Sequence, residues 1–227
     1  MANPTPITVR VRIRRKQGWH DFQVTLPATA YVLDILEEIE KQDPSLLFRH
    51  ACHHASCGSC GLRVNGRERL ACVTPLAEVA RQGRLLRLEP LRNFPIIADL
   101  LVDFGPFMAG LDGVDMPLTR QAEFHPEDEP AYMRFENCIE CGLCVSACPI
   151  AGSDPQYSGP AALAAAWRRL EEPRRTSNAD LIALVDGERG VWRCHAAFEC
   201  TEVCPSNVNP AGAIMSLRRL LLAKDQG

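Results

Sequence analysis

The chain has 227 residues, enough for one large or two modest domains, and a formal net charge of −3. That charge argues against a nucleic-acid binder, which carries a basic face. No apolar run approaches the ~20 residues of a spanning helix, and Met1-Ala2-Asn3-Pro4 lacks the charged and apolar regions of a secretory signal. A soluble or peripheral protein in a reducing compartment is therefore expected, where eleven cysteines act as metal ligands rather than disulfides.

In the first hundred residues, Ile7, Val9, Val11 and Ile13 alternate with Thr8, Arg10, Arg12 and Arg14, the pattern of a half-buried strand. Arg15-Lys16-Gln17-Gly18 reads as a turn, and Phe22, Val24 and Leu26 continue the alternation on a second strand. Thr29 is placed to cap a helix whose Val32, Ile35, Leu36 and Ile39 share one face and which ends before Asp43-Pro44. A cysteine-rich loop follows. Leu62 and Val64 lead into an Asn65-Gly66 turn, Leu70 leads to Cys72, and Leu86 and Leu88 form a last short strand. This order predicts a β-grasp domain of the plant-type ferredoxin kind over residues 1–105.

From about Phe104 the strand signals fade. A Gly-, Pro- and acid-rich stretch from Gly105-Pro106 to Pro130 reads as a connection. Helical patterns then occupy Pro160 to Leu170, Ala179 to Val185 and Pro210 to Lys224, with prolines where a first helical turn tolerates them. The fold class expected is α+β: the β-grasp domain, then an all-helical two-cluster ferredoxin domain over 106–227.

The cysteines carry the chemistry. Cys52-x4-Cys57-x2-Cys60-x11-Cys72 is the plant-type [2Fe–2S] spacing, and Cys138-x2-Cys141-x2-Cys144-x3-Cys148-Pro149 is the bacterial cubane spacing. Cys194-x5-Cys200-x3-Cys204-Pro205 overlays the second run position for position, except that Ala197 stands where Cys141 stands. In two-cluster ferredoxins the last cysteine of each Cys-Pro run ligates the other cluster. Cys138, Cys141, Cys144 and Cys204 are thereby assigned to a [4Fe–4S] cluster, and Cys148, Cys194 and Cys200 to a [3Fe–4S] cluster with no fourth thiolate. Zinc is the competing reading of any Cys-x2-Cys pair, but zinc sites take ligands in fours, whereas these divide as four, four and three. Metal analysis separates the two, leaving a structural zinc-binding adaptor as the alternative from another class.

Elsewhere the signals are thinner. His50, His53 and His54 flank the first loop and read as exposed polar residues, as do His20 and His125. His195, next to a ligand of the three-iron set, is as readily a capping histidine as a functional one. No phosphate loop, dinucleotide fingerprint or nucleophile motif is present, so no catalytic residue is assigned.

Ser56-Cys57-Gly58-Ser59-Cys60-Gly61, Leu70-Ala71-Cys72, Asn93-Phe94-Pro95-Ile96, Asp99-Leu100-Leu101-Val102-Asp103, Gly159-Pro160-Ala161-Ala162 and Glu202-Val203-Cys204-Pro205 together resemble the iron–sulfur subunit of succinate dehydrogenase and fumarate reductase, over nearly the whole chain. The resemblance implies an electron-transfer subunit that passes electrons between the FAD of a flavoprotein partner, where dicarboxylate chemistry occurs, and a quinone. It also implies membrane-anchor subunits and peripheral attachment at the cytoplasmic face of the membrane. Pro149 and His195 match positions that line the family's quinone pocket, and Arg218 matches a lysine near it. Ile150 to Asp154 lacks the tryptophan of ubiquinone-linked members, and the spacing from Cys148 to Gly159-Pro160 resembles menaquinone-linked fumarate reductases, which favours menaquinone. A thiol-coupled fumarate reductase, or another non-quinone donor, is the alternative within the same class.

Overall fold

The computed structural model describes residues 6–80, 85–114, 135–172 and 179–224. Packing divides the chain into two compact units, Met1–Phe104 with Ile139–Leu143, and Gly105–Cys138 with Cys144–Gly227.

The first unit is built on a five-stranded sheet. β1 (Pro6–Arg15) and β2 (Gly18–Pro27) pair antiparallel in continuous register from Pro6↔Pro27 to Arg15↔Gly18. The expected alternation holds: Val9, Val11, Ile13 and Val24 are buried. α1 (Val32–Gln42) follows, then β3 (Gly61–Val64), β4 (Arg67–Leu70), a single helical turn α2 (Leu76–Val79) and β5 (Leu86–Glu89). The strand order is β2-β1-β5-β3-β4, with β5 parallel to β1, the arrangement of a β-grasp domain. α1 contributes Val32, Leu33, Ile35, Leu36 and Ile39 to the core, and Leu62, Val64, Leu86 and Leu88 come from the strands. A two-stranded ribbon, β6 (Ile96–Ala98) and β7 (Leu101–Val102), completes the unit. It has no signal in the alternation because each strand is too short.

The helix start differs from expectation. Thr29 lies in a turn closed by the Ala30 N–H to the Pro27 carbonyl (2.9 Å). Val32 then donates to Thr74, and Leu76 to Ala30, which holds the chain extended until Tyr31. Tyr31 is therefore the first flanking residue of α1, and the Asp34 carboxylate accepts its N–H at 2.7 Å. Tertiary pairing has displaced the cap.

One polar cluster ties the strands to the ribbon. Asp99, only 6 % exposed and at φ 48°, accepts from Arg15 Nη2 (3.1 Å) and from the backbone N–H groups of Lys16 and Leu47. Burial pulls its pKa up, but the hydrogen bonds from Arg15, Leu47 and Lys16 together outweigh it and hold the carboxyl below the usual range. Arg15 also reaches Asp43 and Ser45.

The second unit is helical in its described residues. α3 (Gly105–Asp112) is followed by a 3-10 turn at Phe135–Asn137, then α4 (Leu143–Ala147) and α5 (Pro149–Ser153). Next come α6 (Gly159–Glu171), α7 (Ala179–Asp186), a 3-10 turn at Val191–Arg193, α8 (Glu199–Glu202) and α9 (Pro210–Lys224). Its core joins Ala162, Leu163, Ala166 and Leu170 of α6 to Ile214, Leu217 and Leu221 of α9 and Leu181 and Val185 of α7. The stretch read as a connection is helical in its first part, where Pro106 sits in the tolerant first turn of α3. The remainder, 115–134 with His125, lies outside the described residues.

Asp99→Ala removes the more buried of the two carboxylates that pair with Arg15, whose side chain is only 11 % exposed, and leaves Asp43 as its remaining partner; the loss is expected to approach the cost of breaking a buried pair, about 3 kcal/mol. Asp21→Ala, at the exposed Arg12–Asp21 pair, is expected to change little. Denaturant midpoints of the two variants should separate clearly. Because the folded pKa of Asp99 is depressed, its contribution is present above the ordinary aspartate range and is lost as pH falls through the folded value.

Candidate metal centres

The x11 gap between Cys60 and Cys72 is a hairpin. β3 and β4 pair from Gly61↔Leu70 to Val64↔Arg67 around Asn65-Gly66, whose φ values of 51° and 85° suit a tight primed turn. That register places Cys60 opposite Ala71, whose N–H bonds the Cys60 carbonyl at 3.1 Å. Cys72 follows in a 3-10 turn, so both thiols stand at the open end of the hairpin.

The other two ligands of this set come from the loop before β3. His53, Ala55 and Gly58 all take positive φ, near 61°, 60° and 70°. These kinks turn backbone N–H groups toward sulfur: His54, Ser56 and Cys57 donate to Cys52 Sγ at 3.5, 3.2 and 3.3 Å, and Ala55 donates to Cys72 Sγ at 3.3 Å. The Ser59 hydroxyl lies 3.1 Å from Cys57 Sγ. The hydrogen bond from His54, with those from Cys57 and Ser56, overcomes burial and lowers the Cys52 thiol to about 6. Cys60 is pushed up to about 12 by burial and by the adjacent Cys72. A bound cation is what deprotonates thiols in such a setting. Four sulfurs, with N–H donors aimed at two of them, fit a [2Fe–2S] cluster, which is tuned by such hydrogen bonds.

Packing takes Ile139–Leu143 into the first unit, although the sequence division at 105/106 counts this segment with the second half. Two glycines explain it. A Cβ on Gly58 would stand 2.6 Å from the Ile139 carbonyl oxygen and 2.9 Å from Cys141 Cα. One on Gly142, at φ 73°, would stand 2.8 Å from the Phe94 ring. Cys141 is buried there, whereas Cys138, Cys144 and Cys204 belong to the second unit.

The repeat read from the cysteine spacings recurs in the backbone. Glu140 and Gly142, at φ 53° and 73°, bracket Cys141; Ala196 and Phe198, at φ 54° and 62°, bracket Ala197. Each bracket leads directly into a short helix, α4 or α8.

Cys148, Cys194 and Cys200 are near enough to perturb one another. Burial first, then the Cys148 and Cys194 thiols, push Cys200 up to about 11, and burial raises Cys148. The Ala196 N–H donates to Cys194 Sγ at 3.3 Å. Tyr157, a residue sequence reasoning passed over, borders all three, and burial together with these thiols raises its pKa. Its hydroxyl is buried with no well-formed hydrogen bond among the described residues, and the Cys194 thiol is the partner it faces. A buried hydroxyl left without a good acceptor costs about 1–3 kcal/mol, and a cluster sulfur would accept a hydrogen bond from it, so the site fits a sulfur-rich group. The available signal was Tyr157 as the sole aromatic between Gly152 and Gly159.

Of the three residues matched to the quinone side, Arg218 bonds into the Cys194 loop. Pro149 and His195 are exposed and adjoin Cys148 and Cys194 in the chain. Arg218 donates to the Val191 carbonyl at 3.1 and 2.7 Å and to the Cys194 carbonyl, with its guanidinium 5.7 Å from the Trp192 ring centre. It therefore clamps the Cys194 loop to α9. His20, expected exposed, is half-buried, while His50, His53 and His54 are exposed as expected.

Gly58→Ala must both adopt φ near 70° and push back the backbone at Ile139 and Cys141. The expected outcome is loss of the two-iron visible circular dichroism and of about two iron atoms per chain. Wild-type iron content in that variant would contradict the packing described.

Comparison with known proteins follows the same division. The family profile described as "2Fe-2S iron-sulfur cluster binding domain" matches residues 8–109, and "4Fe-4S dicluster domain" matches 134–208. The fumarate reductase iron-sulfur subunit of Haemophilus influenzae is 36% identical over 94% of this chain and 92% of its own length. That of Mycobacterium tuberculosis is 38% identical over 90% and 86%. The succinate dehydrogenase iron-sulfur subunit of Coxiella burnetii is 31% identical over 93% of each. A chain of the Mycobacterium smegmatis Sdh1 complex in the apo form superposes with a TM-score of 0.89 at 24% identity, covering 98% of this chain and 99% of that one, which shows the fold. Carrying a two-iron domain followed by a dicluster domain, the chain belongs to the family of iron–sulfur subunits of succinate dehydrogenase and fumarate reductase.

Proposed function

We propose that the chain carries electrons between the FAD of a flavoprotein partner and a membrane quinone, with menaquinone favoured, in a succinate:quinone or quinol:fumarate oxidoreductase. The observation that carries this reading is the trio Cys148, Cys194 and Cys200, the last buried and the other two half-buried, beside the Tyr157 hydroxyl, with Ala197 where a fourth ligand would stand. Bound clusters supply one-electron transfer. The chain's own part is to hold sulfur, exclude water and set local charge. Cys52, Cys57, Cys60 and Cys72 would hold [2Fe–2S]; Cys138, Cys141, Cys144 and Cys204 would hold [4Fe–4S]; and Cys148, Cys194 and Cys200 would hold [3Fe–4S].

Support for a quinone comes from chemistry around the last trio. Trp192 and Phe198 are 45% and 44% exposed, large apolar groups beside the Cys194 and Cys200 loops. Pro149 and His195 add an apolar edge and an exposed imidazole, and Arg218 a fixed positive charge. An apolar ring with two carbonyl oxygens suits such a mixed surface. No helix among the described residues is long and apolar enough to cross a membrane, so attachment at the cytoplasmic face would come through anchor subunits.

The complex purified with its partners should reduce a menaquinone analogue with succinate, or fumarate with the menaquinol. Clusters that succinate and quinol both fail to reduce or oxidise would sink the proposal. Ala197→Cys isolates the three-iron assignment. A fourth thiolate should replace the three-iron electron paramagnetic resonance signal with that of a cubane at lower potential, and an unchanged signal would contradict it.

A further inference from the structure

Three of the chain's six histidines fall within residues 50–54. Two of them meet a carboxylate from another element. His50 Nδ1 lies 3.1 Å from His53 Nε2, and Glu37 Oε1 of α1 lies 3.6 Å from the first and 3.5 Å from the second. All three ligand atoms fall within 4.8 Å of one another.

Protons alone satisfy this triangle poorly. Each atom offers a lone pair toward the other two when the imidazoles are neutral. A proton on His50 Nδ1 serves one contact well, and protons on both facing nitrogens repel each other. A single cation at the centre serves all three. The dimensions agree. With zinc–nitrogen and zinc–oxygen bonds of about 2.0–2.1 Å, neighbouring ligand atoms of a tetrahedron are about 3.3–3.4 Å apart. The three observed edges, 3.1, 3.5 and 3.6 Å, straddle that value.

The frame is partly preset. Phe48 stacks on the His50 ring with centroids 5.1 Å apart, and Glu37 projects from a regular helical turn. His50 and His53 are exposed, which leaves a fourth position open to water. Two imidazoles and one carboxylate are a borderline-soft donor set that suits zinc and its neighbours over magnesium or calcium.

From these contacts we infer that Glu37, His50 and His53 form a binding site for a divalent transition-metal ion, with Zn2+ the best match. The site is separate from the iron ligands, although His53 directly follows Cys52. A bound ion would pin α1 to the loop that carries Cys52 and Cys57.

The test uses the chain with its clusters in place. After exposure to Zn2+ and removal of excess, metal analysis should find about one zinc per chain beyond unchanged iron. Zinc-edge X-ray absorption should show only nitrogen and oxygen neighbours near 2.0–2.1 Å. Glu37→Gln and His50→Gln, on separate elements, should each weaken binding by more than the ~10-fold at which losses of outer-shell partners begin. Sulfur neighbours near 2.3 Å would place the zinc at the cysteines and overturn the inference. So would unaltered affinity in both variants with full iron content, or no retained zinc, which would leave a hydrogen-bonded trio only.

Discussion

Concentrated sulfur charge has to be met by backbone amides, and the rest of the molecule is arranged to let that happen. A peptide N–H turns toward a loop's interior only where the chain departs from helix and strand. Here the departures are left-handed residues: His53, Ala55 and Gly58 around the first thiols, Glu140 and Gly142 around Cys141, Ala196 and Phe198 around Ala197. Most are not glycine, so each carries a conformational cost of order 1–3 kcal/mol. Sheet and helix cores offset that cost by fixing the loop ends. The β3–β4 register sets Cys60 against Ala71, and the Arg218 clamp holds the carbonyls of Val191 and Cys194.

Charge is balanced differently from thiol to thiol. At Cys52, hydrogen bonds prevail over burial and stabilise thiolate. At Cys148 and Cys200 burial prevails, so the neutral form is favoured until metal binds. Cys60 in the first site behaves like them, pushed up to about 12 chiefly by burial, so both sites depend on a bound group for a settled charge state.

Much of this was legible in residue order. Period-two alternation placed Val9, Val11 and Ile13 in the core, and Asn65-Gly66 marked its turn, because both are local effects. The Ala197 substitution could be read from spacing and then recognised in matching left-handed brackets. What could not be read depends on distant partners. Tyr31 replaces Thr29 at the start of α1 because residues 74–76 pair with 30–32. Ile139–Leu143 joins the first unit because two glycines allow close backbone approach. His50 and His53 looked like ordinary surface polarity until Glu37, thirteen residues before His50, was placed beside them.

The central claim is that eleven thiols serve three clusters, one of which lacks a fourth ligand. Iron and inorganic sulfide measured per chain in anaerobically purified material test it most directly. The account predicts about nine iron and about ten sulfide. Totals near those of two clusters alone, or zinc in place of iron, would contradict it.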